Sequence, residues 1–158
     1  MAKFRIRTAA LQDAEAIYRV HKQSISRLCS GVYSPVQVDE WAELRTPQHY
    51  EELINDGRVL VAKGPGGVVG FAVFSTESGE LEALYVHPEY VSHGIGSQLL
   101  AVVESQALNQ GISAITLNAT LNSAAFYERR GYSSLGPTTY RLPSGMELPC
   151  VRMRRTLA

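Results

Sequence analysis

The chain has 158 residues, enough for one domain, 1–158, with a real hydrophobic core. Its 15 Lys and Arg balance 15 Asp and Glu, so no global field draws it to nucleic acid or to an anionic membrane surface. No apolar run approaches bilayer length, and the start, MAKFRIRTAAL, lacks the apolar core and cleavage-like site of a secretion signal.

Phe4–Thr8 alternates apolar and basic residues and reads as a strand. From about Asp13 to Leu28, Ile17, Val20, Ile25 and Leu28 fall at helical spacing. Cys29 follows, far from Cys150 and in no metal-type spacing; the pair reads as two reduced thiols of a cytoplasmic protein with no metal site. Ser34-Pro35-Val36-Gln37 is a helix start, with a Ser cap, Pro at the first position and Gln at the third. Thr46-Pro47 repeats the signal and Gly57 closes that second short helix. Val59–Ala62 and Val68–Phe74 flank Gly64-Pro65-Gly66-Gly67 as a hairpin. Glu80–Val86 is a further strand, and a long helix runs from about Gly94 to Asn109 with Gly111 as its stop. Ile112–Asn118 reads as a strand and Ser123–Arg130 as a short helix ended by Gly131. The tail from Tyr132 to Arg154 reads as strand pieces broken by Pro137, Pro143 and Pro149. The hairpins demand antiparallel pairing, and the strand–helix–strand unit Glu80–Asn118 demands a parallel crossover. A mixed α/β sheet with helices on its faces meets both demands.

Leu81–Gln98, LEALYVHPEYVSHGIGSQ, carries the chemistry. An apolar strand enters a polar loop, and Gly94-Ile95-Gly96 opens onto a helix. Several backbone N–H groups then converge at the positive end of a helix dipole. The glycines admit a phosphate close to the main chain. A dinucleotide fingerprint is excluded, because its third glycine position is Leu99 and the loop follows a late strand. A nucleoside-triphosphate loop is excluded too, because Gly96 is followed by Ser97-Gln98 rather than Lys-Ser/Thr.

LYVHPEYVSHGIGSQLL resembles the pyrophosphate loop of the GNAT superfamily of acyl-CoA N-acyltransferases, Gln/Arg-x-x-Gly-x-Gly/Ala, with its preceding strand and following helix. NSAAFYERRGY, Asn122–Tyr132, resembles that family's later Asn-x-x-Ala…Tyr…Gly-Tyr/Phe segment. The resemblance spans nearly the whole chain. It implies a mostly antiparallel sheet splayed at one parallel strand pair, with acetyl-CoA as co-substrate and no metal. It implies that the amides of Gly94, Ile95, Gly96 and Ser97 bind pyrophosphate, beside Val91, Ser92 and His93. It places Leu84, Tyr85 and Val86 along the pantetheine arm, with a bulge often found at Val86, Asn122 and Tyr127 near the arm's far end, and Ala125 and Phe126 among the cofactor-binding residues. Tyr127 takes the place of the general acid. Val91 stands where the family has Gln or Arg, and His93 where it is usually basic, so a side-chain contact to pyrophosphate is missing. The partner implied is a small-molecule or peptide amine, with no nucleic acid or membrane, and the family is often a homodimer.

An amine attacks a thioester only as free base, so something must accept its proton. Strict alternation puts Glu80, Glu82, Leu84 and Val86 on one face and Leu81, Ala83 and Tyr85 on the other. Glu80 and Glu82 thus become candidate bases, or else solvated strand residues. Tyr33, Trp41 and Tyr50 read either as an aromatic substrate wall or as helix packing. His21 reads as packed, His87 as a loop residue, and His93 as a phosphate contact or a solvated side chain. Arg129 and Arg130 read as surface. The reading is acetyl transfer from acetyl-CoA to a primary amine by direct attack in a ternary complex. An acyl-CoA sensor without turnover, or a toxin-like or protein-lysine transferase, are the alternatives.

Overall fold

Gly64 pairs with Gly67 across a two-residue turn, which folds the flanking apolar runs into the hairpin at the heart of one seven-stranded sheet. A computed structural model describes residues 3–157. In chain order these form β1 (Arg5–Thr8), α1 (Ala14–Leu28), α2 (Pro35–Ala42), α3 (Pro47–Asn55), β2 (Val59–Gly64), β3 (Gly67–Ser75) and β4 (Glu80–Val86). Then come α4 (Ile95–Asn109), β5 (Ala114–Thr120), α5 (Ala124–Glu128), β6 (Ser133–Arg141) and β7 (Glu147–Thr156). Spatial order is β1-β2-β3-β4-β5-β7-β6, and β4–β5 is the one parallel pair. The expected mixed sheet, mostly antiparallel with helices on both faces, is what forms. None of the described helices is long and apolar enough to cross a membrane.

Apolar periodicity decides which face each element covers. Ile95, Leu99, Leu100, Val103 and Ala107 of α4 bury against Leu60, Ala72, Leu117 and Met153 on one face. Ile17 and Val20 of α1 and Tyr50 and Ile54 of α3 bury against Val59, Val61, Phe71 and Val73 on the other. A third cluster, Ile25, Cys29, Tyr33, Val38, Trp41, Leu142, Leu148 and Cys150, joins α1 and α2 to the β6–β7 hairpin. The Ser34 cap is realised in full: Gln37 N–H donates to Ser34 Oγ at 3.2 Å and Ser34 N–H donates to Gln37 Oε1 at 2.9 Å.

Three expectations about strands are corrected. Pro137 and Pro149 do not break the tail; they sit inside β6 and β7. β6 is an edge strand, and β5 pairs with β7 no further than Cys150, so Pro149 lies beyond that ladder. The strand expected over Ile112–Asn118 begins at Ala114, because Ile112 N–H closes the end of α4 on Ala107 O at 2.9 Å. The alternation expected along β4 also fails. Ala83 pairs with Val73 but Leu81 pairs with Phe74, which leaves Glu82 as an extra, bulged residue. Leu81 therefore joins Leu84 and Val86 over α4, while Ala83 and Tyr85 face α1 and α3. Glu80 turns to the opposite face from Leu84 and Val86, beside Thr116 and Asn118. The irregularity lies at Glu82, not at Val86.

Candidate active site

β4 and β5 pair only at Glu80–Thr116 and Leu81–Leu117, then diverge. A cleft opens between Glu82–Val86 and Asn118–Thr120, and three connected hollows run along it.

The first, about 440 Å³, lies at the start of α4 and is lined by Val91, Ser92, Gly94, Ile95, Gly96 and Ser97. Gly94 caps the helix at φ +78°, and Ser92 at φ +71° is the one non-glycine with positive φ among the described residues. Holding serine there stores strain, a cost that concentrates at functional loops. Among the described residues no acceptor takes the N–H groups of Gly94, Ile95, Gly96 or Ser97; the first bond of α4 is Gln98 N–H to Gly94 O at 3.0 Å. Ile95, buried in the core, fixes where these four donors point. A Cβ on Gly96 would lie 3.3 Å from Phe126 Cζ, so glycine keeps the approach to the main chain open. This cradle suits a pyrophosphate.

Arg130 covers the same cradle. Its Nε donates to Ser97 Oγ at 2.8 Å, its Nη2 also reaches that oxygen, and its Nη1 donates to Phe126 O at 2.9 Å. The guanidinium stacks on the Phe126 ring, 3.8 Å from its centroid. A residue read from sequence as surface thus supplies a fixed positive charge on the helix terminus, on the hollow that Val91 also lines. His93 turns away, packing edge-on against Phe4 at 6.1 Å and near Tyr90 at 6.0 Å.

The middle hollow, about 130 Å³, is lined by Leu84, Tyr85, Val86, Asn118, Thr120, Asn122 and Tyr127. His87 N–H bonds Val69 O at 2.7 Å, which makes Val86–Gly70 an unbonded pair of the antiparallel ladder. The N–H groups of Val86 and Leu84 therefore point away from β3, into the splay. The Val86 carbonyl accepts from Ser24 Oγ at 2.8 Å, so its N–H is the free group. Tyr127 is buried, its ring held edge-on by Phe126 at 5.1 Å and Tyr132 at 5.6 Å. Its hydroxyl has no hydrogen-bond partner among the described residues, although other buried tyrosines in this chain do. Burial pushes the phenol above its ordinary range, so it is a donor at neutral pH. Cys29 borders this hollow, and burial pushes its thiol up to about 11, so it stays protonated. Cys150 is also free and buried.

The third hollow, about 280 Å³, is walled by Trp41, Tyr50, Tyr85 and Tyr140, with Glu80 and Glu82 on its floor. Glu80 is fully engaged: Arg152 donates twice, at 2.7 and 2.8 Å, and Thr116 Oγ1 donates at 2.8 Å. Glu82, half-exposed on its bulge, pairs with Arg58 and borders both this hollow and the middle one. His21 is buried, with Nε2 at 3.2 Å from Trp41 O and Nδ1 at 3.1 Å from Tyr50 Oη. A carbonyl only accepts, so Nε2 carries the proton and Nδ1 accepts from Tyr50. Burial holds His21 down to about 4.

The structure thus gathers Glu80, Glu82, Leu84, Tyr85, Val86, Val91, Ser92, Gly94–Ser97, Asn122, Phe126, Tyr127 and Trp41 along one cleft. It leaves Tyr33, Ala125 and His93 off the lining. Ala125 is exposed on α5. Tyr33 is a strut: its hydroxyl donates to Pro149 O at 2.6 Å and accepts Leu121 N–H at 3.1 Å. Sequence reasoning missed Arg130, Arg45, Tyr140, Asn118 and Thr120. Only Asn118 and Thr120 carried a usable signal, as polar positions alternating with the core residues Leu117 and Ala119.

Comparison with known proteins shows the family and the fold. The family model for the acetyltransferase (GNAT) domain matches residues 29–157. The chain is 27% identical over 135 residues to the uncharacterized N-acetyltransferase YafP of Escherichia coli (strain K12), covering 85% of each. A GCN5-related N-acetyltransferase from Rhodopseudomonas palustris superposes with a TM-score of 0.90 at 28% identity, covering 99% of this chain and 98% of that one. The PaiA N-acetyltransferase of Thermoplasma acidophilum, solved with coenzyme A, shares the fold at a TM-score of 0.77 and 21% identity, covering 98% and 99%. With its splayed parallel pair and glycine cradle, this chain belongs to the GNAT acetyltransferase family.

Proposed function

We propose that this protein transfers an acetyl group from acetyl-CoA to a primary amine by direct attack in a ternary complex. The observation that carries the reading is the set of four unpaired amides, Gly94–Ser97, opening onto a cleft that leads past Tyr127 to an aromatic hollow. The amides and Arg130 hold the pyrophosphate, with Arg130 making up for Val91. Leu84 and Val86 offer main-chain donors along the pantetheine arm. When bound, acetyl-CoA supplies the thioester, whose C–S bond breaks as the amine nitrogen forms the new C–N bond.

The chain's own groups handle the charges. The Val86 N–H faces the carbonyl oxygen as negative charge builds there. Tyr127 donates its free hydroxyl proton to the departing sulfur. Glu82 accepts the amine proton, directly or through water. It is preferred to Glu80 because it borders both hollows, whereas Glu80 has its oxygens committed to Arg152 and Thr116. The test is release of CoA thiol from acetyl-CoA across a panel of amines, with thermal stabilisation by CoA measured in parallel. Stabilisation without turnover of any amine or protein lysine supports a sensor instead. Absence of both stabilisation and turnover overturns the site.

A further inference from the structure

The aromatic hollow holds one charge that the transfer step does not use. Glu80 is neutralised by Arg152 and Glu82 by Arg58. His21 is neutral, its ring held between Trp41 O and Tyr50. What remains is Arg45, in the link between α2 and α3, half-buried on the hollow's wall. One guanidinium nitrogen donates to Tyr140 Oη at 3.1 Å. Among the described residues no carboxylate pairs with it. The carboxylates near it in sequence are used elsewhere: Glu43 by Lys22 at 3.0 Å, and Glu40 by the N–H and hydroxyl of Ser144 at 3.0 and 2.5 Å. Burial chiefly, and the Arg45 charge in addition, disfavour protonation of His21 on the hollow's wall and of His49 nearby.

A planar guanidinium with most of its donors unspent, held by a phenol in a partly enclosed wall, matches a carboxylate in shape and charge. A half-desolvated cation without a counter-ion gains most from a ligand that brings one. We propose that the acceptor is an amine that also bears a carboxylate, as a free amino acid does. Arg45 binds the carboxylate, the aromatic walls take the apolar body, and the amine lies against Glu82. The placement follows from the lining: Arg45 borders only the outer hollow, whereas Glu82 also borders the one that reaches Val86 and Tyr127. A polyamine would set like charge against Arg45. The inference rests on the transferase reading and narrows its acceptor.

Matched acceptors test it. Phenylalanine, leucine and alanine are compared with their carboxamides, with spermidine and with a lysine-containing peptide amide, by acetyl-CoA-dependent thiol release. The carboxamides are weaker bases, so more of them is free amine at a given pH, and any preference for the acids runs against intrinsic reactivity. At least one acid is expected to exceed its amide by about 10-fold or more in kcat/KM, because removing the carboxylate strands a built partner. Arg45→Gln should erase that preference through KM, with the acid falling to the level of the amide, and Arg45→Lys should restore part of it. Thermal stabilisation by CoA checks that each variant is folded. Amides or spermidine used as well as the acids, or a preference that survives Arg45→Gln, would overturn the proposal while leaving the transferase reading intact. If no amine turns over, the transferase reading fails. Calorimetric binding of acid against amide, with CoA present, then still decides whether Arg45 selects a carboxylate.

Discussion

Tyr127→Phe separates chemistry from packing in this chain. The hydroxyl has no partner among the described residues, so its removal orphans nothing in the free protein. The ring contacts with Phe126 and Tyr132 remain. Stability and CoA affinity should therefore change by no more than about 0.5 kcal/mol, the scale of a substitution that breaks no interaction. The rate should behave otherwise. Loss of a positioned acid slows the chemical step by about 10²-fold or more, which is roughly 2.7 kcal/mol in the barrier. The loss should appear in kcat, because the bond to sulfur forms as charge develops there. Tyr33→Phe is the matched control. Its hydroxyl is a buried bridge from Pro149 O to Leu121 N–H, so removal should cost about 1–3 kcal/mol of stability. For a chain of this size that is a drop in Tm of roughly 2 to 12 °C. The assay is steady-state thiol release beside calorimetric CoA binding and thermal melts. Equal kcat in wild type and Tyr127→Phe, with an unchanged melt, would remove Tyr127 as the acid.

Gly96→Val should remove the stabilisation by CoA in a folded protein, because its branched side chain meets Phe126 and closes the cradle; a retained melting shift would show that phosphate binds elsewhere. Arg130→Ala should weaken CoA binding several-fold, by about 1 kcal/mol, and flatten its salt dependence; adding Val91→Arg should recover part of the loss, and calorimetry at two salt concentrations reads both effects. His21 is held down to about 4 by burial, so between its ordinary pKa near 6.5 and about 4 the unfolded chain binds the proton that the folded one refuses. Stability should therefore fall as pH drops through that window, by up to about 3 kcal/mol, and denaturant melts of His21→Gln should show a shallower slope there.

The glycine cradle was readable from sequence because local chemistry dictates it. Positive φ at Gly94, close approach at Gly96 and an apolar anchor at Ile95 are written in adjacent residues. The Ser34 and Thr46 caps were readable for the same reason. The bulge at Glu82 was not, because it exists only in the register between β3 and β4, and one extra residue sends Glu80 to the other face. Pro137 and Pro149 misled because a strand tolerates proline where no neighbour needs its N–H, and neighbours are a tertiary fact. Arg130 reads from sequence as a surface cation, and nothing in the sequence marks Arg45. Whether a flexible charged side chain folds over a helix terminus, or joins a wall with Tyr140, is decided by elements far away in the chain.

The divergence of β4 from β5 after two paired residues places a sheet edge in the middle of the protein rather than at its rim. Exposed edges ordinarily invite aggregation, and proteins blunt them with charge, proline or short length. Here the edge lies between two paired ladders, β3–β4 and β5–β7, rather than at the rim of the sheet. An extended molecule with amide groups of its own can enter as a missing strand. Recognition along that stretch then rests on the peptide backbone, common to every residue. Leu84 and Val86 are accordingly free to change among apolar types without losing it.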